Sequence, residues 1–469
     1  MPCAIEPHAT LPRSGDTEKP SDAEKHTEGH LMSTLGSTIE SVKTVCTRGL
    51  VLAPVAALLL SVAFLLLGNG LLGTLLVLRA GHEGFSSEII GLMMSAYFAG
   101  YTVGALYLPR VIVSVGHVRT FAGFAAIASM TALLHLAWVE PWAWISLRVL
   151  TGLAYAGMIL ATESWLNAHA VPSTRGQLLS VFGVVSTVAW ASGQALLNLA
   201  PTDGIVLFLI VSLLISAAVV PVTLLPGRPP EEVEQEAVPF RQLLSVSPLA
   251  TAGVFLAGLA IGGFWGMGPN FAERIGLGVG GISAFMAAVF AGTLVLQWPL
   301  GWLSDRLPRN LIIAAAALGS AAAAIGIALA AQAPLPVLLT AAALFGGFGI
   351  PIYALCVASA NDNLSPTRLL GTARGLLLLN GLGTTLGPFA GGLAMNLAGP
   401  GGLFLYAALL LAVLAVVAAP LPRVGHSRNA PSTRCPHTPM ITVSLNALLQ
   451  RPETGSKQHE KGDGGKQET

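Results

Sequence analysis

The chain has 469 residues, of which 53% are hydrophobic and 10% charged, with a net charge of +1 at pH 7. Soluble domains carry about 25% charged residues, so a water-soluble globule is excluded, and a near-neutral chain offers no basic field for nucleic acid. The four cysteines (Cys3, Cys46, Cys356, Cys435) show no C-x-x-C spacing and no histidine cluster, which argues against a disulfide framework, a metal site or a cofactor.

In chain order, residues 1–49 are polar and rich in Ser, Thr, Glu and Lys, and read as a disordered tail. They hold no apolar core of a cleavable signal, and Met32 is an alternative start. Apolar runs then predict twelve spans: 50–78, 89–108, 118–139, 142–168, 176–199 and 205–225, an acidic link at 227–245, then 248–271, 282–303, 311–331, 335–360, 376–397 and 403–421. The first is interrupted by Gly68, Asn69 and Gly70. A polar tail, also read as disordered, follows at 422–469. The expected architecture is an all-α membrane protein with two six-helix bundles, at 50–226 and 246–421.

Arginine placement sets the orientation. With both tails cytoplasmic, the inner loops hold Arg110, Arg119, Arg175, Arg228, Arg241, Arg306, Arg309, Arg368 and Arg374, and the outer loops hold Arg79 and Arg274. The halves also repeat. Phe98-Ala99-Gly100 matches Phe290-Ala291-Gly292, and Arg175-Gly176 matches Arg374-Gly375. Asp362 precedes Arg374 by the same interval as Glu163 precedes Arg175. Parallel six-span repeats with a site between them at mid-membrane are a transporter architecture.

Arg148 lies inside the fourth span, where a charge costs about 3 kcal/mol or more unless it faces protein or water. It serves either as a counter-charge for an anionic substrate or proton carrier, or as a structural cation bonded to backbone carbonyls. Glu163 stands about 22 Å along the same helix at 1.5 Å per residue, so the two cannot pair. For Glu163 two roles compete: a charge relay with Arg110 or Arg119, or a protonatable carboxylate in a cavity. Asp362, its apparent repeat partner, is expected to pair with Arg306 or Arg309. Asn69, Tyr155, Trp265 and Asn270 are candidate cavity lining, although an intramembrane Asn commonly serves a helix–helix hydrogen bond.

Between spans eight and nine runs Gly301-Trp302-Leu303-Ser304-Asp305-Arg306-Leu307-Pro308-Arg309. This string resembles the G-x-L-[SA]-D-R-x-x-[RK] loop of the major facilitator superfamily. The resemblance implies a gate on the cytoplasmic side: Gly301 lets helices approach, Asp305 sits near a helix N-terminus, and Arg306 and Arg309 bridge to acids at other helix ends. The first-half equivalent, a loop from Arg110 to Arg119, lacks the aspartate. Arg148-x-x-x-Gly152-x-x-x-Ala156 resembles a second pattern of the same superfamily. The end of the fourth span (A-T-E-S-W-L-N), then R-G-Q-L-L and Ser192-Gly193-Gln194, resembles its YcaD-type branch, which implies a twelve-span bacterial inner-membrane transporter and names no substrate. Gly387-Pro388-Phe389-Ala390-Gly391-Gly392 resembles an antiporter signature but stands in the eleventh span rather than the fifth, so Gly383, Gly387 and Gly391 read as a helix-packing face.

Gly276-Leu277-Gly278-Val279-Gly280-Gly281 matches G-x-G-x-x-G with no strand before it, and reads as a flexible outer loop rather than a dinucleotide site. No P-loop, G-x-S-x-G or H-E-x-x-H string occurs, so no enzyme is expected. The expected function is monomeric secondary transport of a small solute across the bilayer, proton-coupled and directed to efflux, with a site between spans one, four, seven and ten. The alternative is a receptor or scaffold on the same fold.

Overall fold

The structure, a computed structural model, describes residues 55–169, 175–224, 247–330, 333–362 and 366–419. Both expected tails, the 227–245 link with Arg228 and Arg241, and the side chains of Arg175 and Arg368 lie outside the described set. The described residues form α1 (Val55–His82), α2 (Ser87–Val115), α3 (His117–Ala137), α4 (Pro141–His169), α5 (Arg175–Ala195, extended by a 3-10 turn to Leu199) and α6 (Val206–Thr223). A second series follows: α7 (Pro248–Arg274), α8 (Val279–Ser304), α9 (Arg309–Leu329), α10 (Leu335–Gly349), α11 (Ile352–Asn361), α12 (Pro366–Ala398) and α13 (Gly402–Ala418). Among the described residues eleven spans are long and apolar enough to cross a membrane, α10 and α11 counting together as one, and α13 is a shorter apolar helix. Helices satisfy their backbone polar groups internally, as lipid demands, and large apolar side chains such as Leu213, Val295, Trp298 and Val416 point outward. Here the face where α1 begins and α13 ends is called the tail face, and the opposite one the distal face.

Helices α2, α3, α4 and α6 pack together, and α1 joins α5 and α6 to them through Gly70 against Trp190 and Gly68 against Leu214; α7–α13 form the other bundle, and α2 against α12 and α5 against α8 join the two. Within each bundle the tightest crossings are glycine against backbone. A Cβ on Gly100 would collide with the Val149 carbonyl, and one on Gly152 with the Tyr97 carbonyl, so α2 and α4 notch into each other. Gly292 and Gly346 do the same between α8 and α10, against Ala343 and Val289. This reciprocal pair is the repeat seen in three dimensions. Gly383 and Gly387 press on α7, where a Cβ would stand 2.5 Å from the carbonyls of Phe255 and Leu259, which makes packing their role.

Four expectations are corrected. The first span is not interrupted: α1 runs helically through Gly68-Asn69-Gly70, because Gly70 is needed for close approach to Trp190 and not for a break. The Arg110–Arg119 segment is helical except at Gly116, whose φ of +94° alone makes the turn. The G-x-G-x-x-G string is a helix stop and start: Gly276 (φ +85°) closes α7 by bonding back to Glu273, and Gly280 and Gly281 already belong to α8. Gly301 serves no close approach, since a Cβ there would meet nothing within 4 Å.

Candidate functional site

A cavity of about 330 Å³ opens between the bundles. Leu66 and Asn69 of α1, Tyr97, Phe98, Tyr101, Thr102 and Ala105 of α2, Tyr155, Ile159 and Glu163 of α4, and Phe182, Ser186 and Trp190 of α5 form most of its wall; Leu377, Leu378, Asn380, Gly381 and Thr384 of α12 close it. Among the described lining residues none comes from α7 or α10. The cavity therefore belongs chiefly to the first bundle, unlike the expected placement between spans one, four, seven and ten.

Three expected residues line it. Asn69 donates to the Tyr97 hydroxyl at 3.0 Å, Tyr155 is fully buried with its hydroxyl lacking a hydrogen-bond partner, and Glu163 is buried in the wall and interacts electrostatically with Tyr101 and with Tyr353 of α11. Three others do not reach the lining. Trp265 stacks on Phe290 at 4.7 Å and lies 5.7 Å from Trp190, forming an aromatic plug that joins α5 to α7 and α8. Asn270 accepts from Ser87 at the distal face. Arg148 is buried behind Tyr97, its guanidinium 4.3 Å from that ring and donating to the Met94 sulfur at 3.6 Å, while Nε and Nη1 find no acceptor among the described residues.

An unsatisfied buried cation is costly, and well-packed apolar replacements of such groups are neutral or stabilising. Arg148→Met is therefore expected to keep the thermal midpoint of the purified protein at or above wild type. A drop of 5 °C or more, on the order of 2 kcal/mol or more for a chain of this size, would show that Arg148 holds the fold.

Glu163 and Asp362 occupy unlike settings. The 194-residue step from Gly152 to Gly346 carries Glu163 onto Val357, not Asp362. Asp362 lies just past α11, half exposed, and takes Arg309 Nε at 2.6 Å; Arg309 also reaches Asp305 at 3.5 Å. Arg306 instead lies over the Trp302 ring at 3.6 Å. These contacts tie α8, α9 and α11 together inside the second bundle. On the first bundle Arg110 and Arg119 are exposed, and Arg374 on α12 is half-buried. Partial burial pushes the Asp362 carboxyl above the usual aspartate range, while the Arg309 charge pulls it down. A raised value stabilises the fold below aspartate's ordinary range, and that contribution is lost as pH rises through the raised value. In Arg309→Gln the downward pull is gone, so the Asp362 midpoint moves further up. Infrared difference titration of the carboxyl reads it, and an unmoved midpoint would deny the pairing.

Tyr97, Tyr101, Trp190 and Asn380 were not anticipated as lining. The signal available was Tyr97 and Tyr101, one helical turn apart on an otherwise apolar span. Ser192-Gly193-Gln194 proves structural: a Cβ on Gly193 would press on the Leu67 carbonyl, and Gln194 donates to Gly70 O at 3.0 Å and accepts from Thr74 at 2.7 Å.

The bonds joining the bundles gather at the distal face. Ser87 binds Asn270 and Arg274, Asn396 binds Glu88 at 2.7 Å, the Phe389 amide binds Ser95 at 3.1 Å, Ser283 donates to Gln194 O at 2.6 Å, and His82 faces Glu273 at 3.6 Å.

The family model described as Major Facilitator Superfamily matches residues 58–379 and again 250–454. An uncharacterised MFS-type transporter of Enterobacter sp. (strain 638) is 28% identical over 71% of this chain and 87% of its own length. The uncharacterised MFS-type transporter YcaD of Escherichia fergusonii is 27% identical over the same shares. Among solved structures, the nucleoside transporter NupG aligns with a TM-score of 0.62 at 15% identity, covering 79% of this chain and 98% of that one, which shows a shared fold.

Proposed function

Since the chain belongs to the major facilitator superfamily, in its YcaD-like branch, and is thus a multi-pass membrane transporter working by alternating access, we propose that it moves a small solute across a bacterial inner membrane by exchange with protons. The observation that carries this reading is Glu163, an ionisable group buried in the wall of the inter-bundle cavity; intramembrane carboxylates facing a cavity mark ion and proton paths. The arginine bias supports a cytoplasmic tail face. The bonded distal face then corresponds to an inward-facing arrangement, with Asp305, Arg306, Arg309 and Asp362 as the gate elements that engage when the tail face closes. Arg110, Arg119, Arg175 and Arg374 are their proposed counterparts across that face. Export rather than uptake follows from the resemblance alone. The division at 50–226 and 246–421 is the proposed boundary of the two moving bundles.

Reconstitution into sealed vesicles carrying an internal pH dye tests it: an imposed proton gradient should drive solute movement, and solute addition should move protons. A solute that crosses with no proton flux at any pH would overturn the coupling.

The distal bonds give a separate expectation. Ser87→Ala with Asn396→Ala removes three neutral or charge-assisted bonds worth about 1 kcal/mol each, so the distal-open population should rise on the order of tenfold or more. Spin-label distances between the distal ends of α2 and α7 would show a second, longer population, and an unchanged distribution would sink the latch role.

A further inference from the structure

Resting on the inward-facing arrangement, we infer that Trp190, Trp265 and Phe290 form a dry gate at the distal end of the cavity, the barrier a solute must part to pass between the chamber and the distal face. Trp190 is the lining residue of α5 nearest that end. Its ring lies 5.7 Å from Trp265 of α7 and 5.8 Å from Phe290 of α8, and those two stack on each other at 4.7 Å. One ring belongs to the first bundle and two to the second, so the contact crosses the seam along which the bundles separate. About one turn further along α5, the Gln194 carbonyl accepts from Ser283 of α8. Beyond Trp265 on α7, Asn270 accepts from Ser87. The rings thus stand between the chamber and the polar bonds of the distal face.

Each side of the gate is held from behind. The Trp190 backbone is pinned to α1, where a Cβ on Gly70 would stand 2.8 Å from its carbonyl oxygen. Trp265 meets Phe264 edge-on at 5.1 Å, and Phe264 is buried among Phe285, Phe345 and Phe404. Close packing of this kind makes the rings move with their bundles rather than flip aside within them. The contact across the seam is ring against ring, and an apolar constriction stops water and ions by dewetting. Such a layer also keeps protons from running through the chamber without solute. The opposite seam closes differently, by backbone approach: a Cβ on Gly381 of α12 would stand 2.8 Å from the Thr102 hydroxyl oxygen of α2.

The test reads water access at a cysteine introduced in the cavity wall of α12, Thr384→Cys, in the full-length protein in sealed vesicles of either orientation. A small impermeant thiol reagent, trimethylammonioethyl methanethiosulfonate, meets the distal face in one set and the tail face in the other, and peptide mass spectrometry follows modification at that position alone. Thiol reactivity follows access to water, so modification should be about 10-fold or more faster from the tail face. Adding Trp190→Ala removes two ring pairs and should raise the distal-face rate about 10-fold, with the tail-face rate unchanged. Trp190→Phe keeps a ring in the stack and should stay near the parent. Trp265→Ala opens the same gate from the second bundle, so if one alanine variant does not fold the other decides. Equal rates from the two faces in the parent, a distal-face rate that neither alanine raises, or a parallel rise from both faces overturns the inference. The readout needs neither solute nor a pH gradient. A closed distal route opened by the alanines, with no proton flux in the transport assay, sustains the gate and removes the proton coupling. Coupled flux with distal access unaffected by the rings does the reverse.

Discussion

Gly100→Leu is expected to leave little or no folded protein in the membrane fraction. A leucine there drives its Cβ into the Val149 carbonyl, a backbone atom that cannot rotate away, at the crossing where Gly152 meets Tyr97 from the other side. Overpacking in well-packed cores costs about 1–3 kcal/mol when side chains can adjust; here the neighbour is rigid, and the cost reaches the upper end or beyond, a large part of the ~5–15 kcal/mol that holds a domain. Gly292→Leu should behave alike at the Ala343 contact. The control is Gly123→Leu or Gly326→Leu, where a Cβ meets nothing within 4 Å and replacing helical glycine should gain up to about 1 kcal/mol. Yield of monodisperse protein and its thermal midpoint measure both. Equal behaviour of Gly100→Leu and Gly326→Leu would show that the notches do not hold the bundle.

Glu163→Gln carries the largest functional effect. The amide fits the same space and cannot carry a proton, so transport driven by a pH gradient should fall by about 100-fold or more, the usual worth of a positioned proton-transfer group. Solute exchange down its own gradient should persist. The thermal midpoint of the variant, measured beside wild type, separates a lost carrier from a lost fold. Vesicle assays with and without a pH gradient, run on wild type and variant, decide it: an unchanged pH dependence of transport would end the proton-carrier role.

The spans and their approximate ends were legible because lipid imposes one rule on the backbone, and long apolar runs obey it visibly. Asn69 and Tyr155 were legible as cavity residues for a related reason, that polar groups in an apolar run must face something, whereas Glu163 stayed open between a cavity carboxylate and a charge relay with Arg110 or Arg119. The rule says nothing about which thing. Arg148, Trp265 and Asn270 satisfy it too, and they meet an aromatic ring, an aromatic plug and a serine instead of the cavity. Glycine was harder to read. Gly70, Gly100 and Gly116 look alike in the sequence, yet one accepts Trp190, one accepts α4 and one turns the chain, because a missing Cβ can serve proximity or conformation and only the neighbour tells which. The link between Glu163 and Asp362 came from counting back from Arg175 and Arg374, whereas the glycine notches set a register of their own.

The distal seam has a kinetic meaning. Its bonds are distributed over separate helix pairs, from the exposed Glu88–Asn396 contact at the rim to the buried Ser283–Gln194 bond. Water can reach the rim contacts first and replace each protein partner as it is released. The seam can thus part stepwise, and the activation barrier is set by the largest single step rather than by the sum. If all the bonds had to break together, every 1.4 kcal/mol of added seam strength would slow opening about tenfold. Divided as they are, the same bonds can keep one state dominant at rest without making the cycle slow.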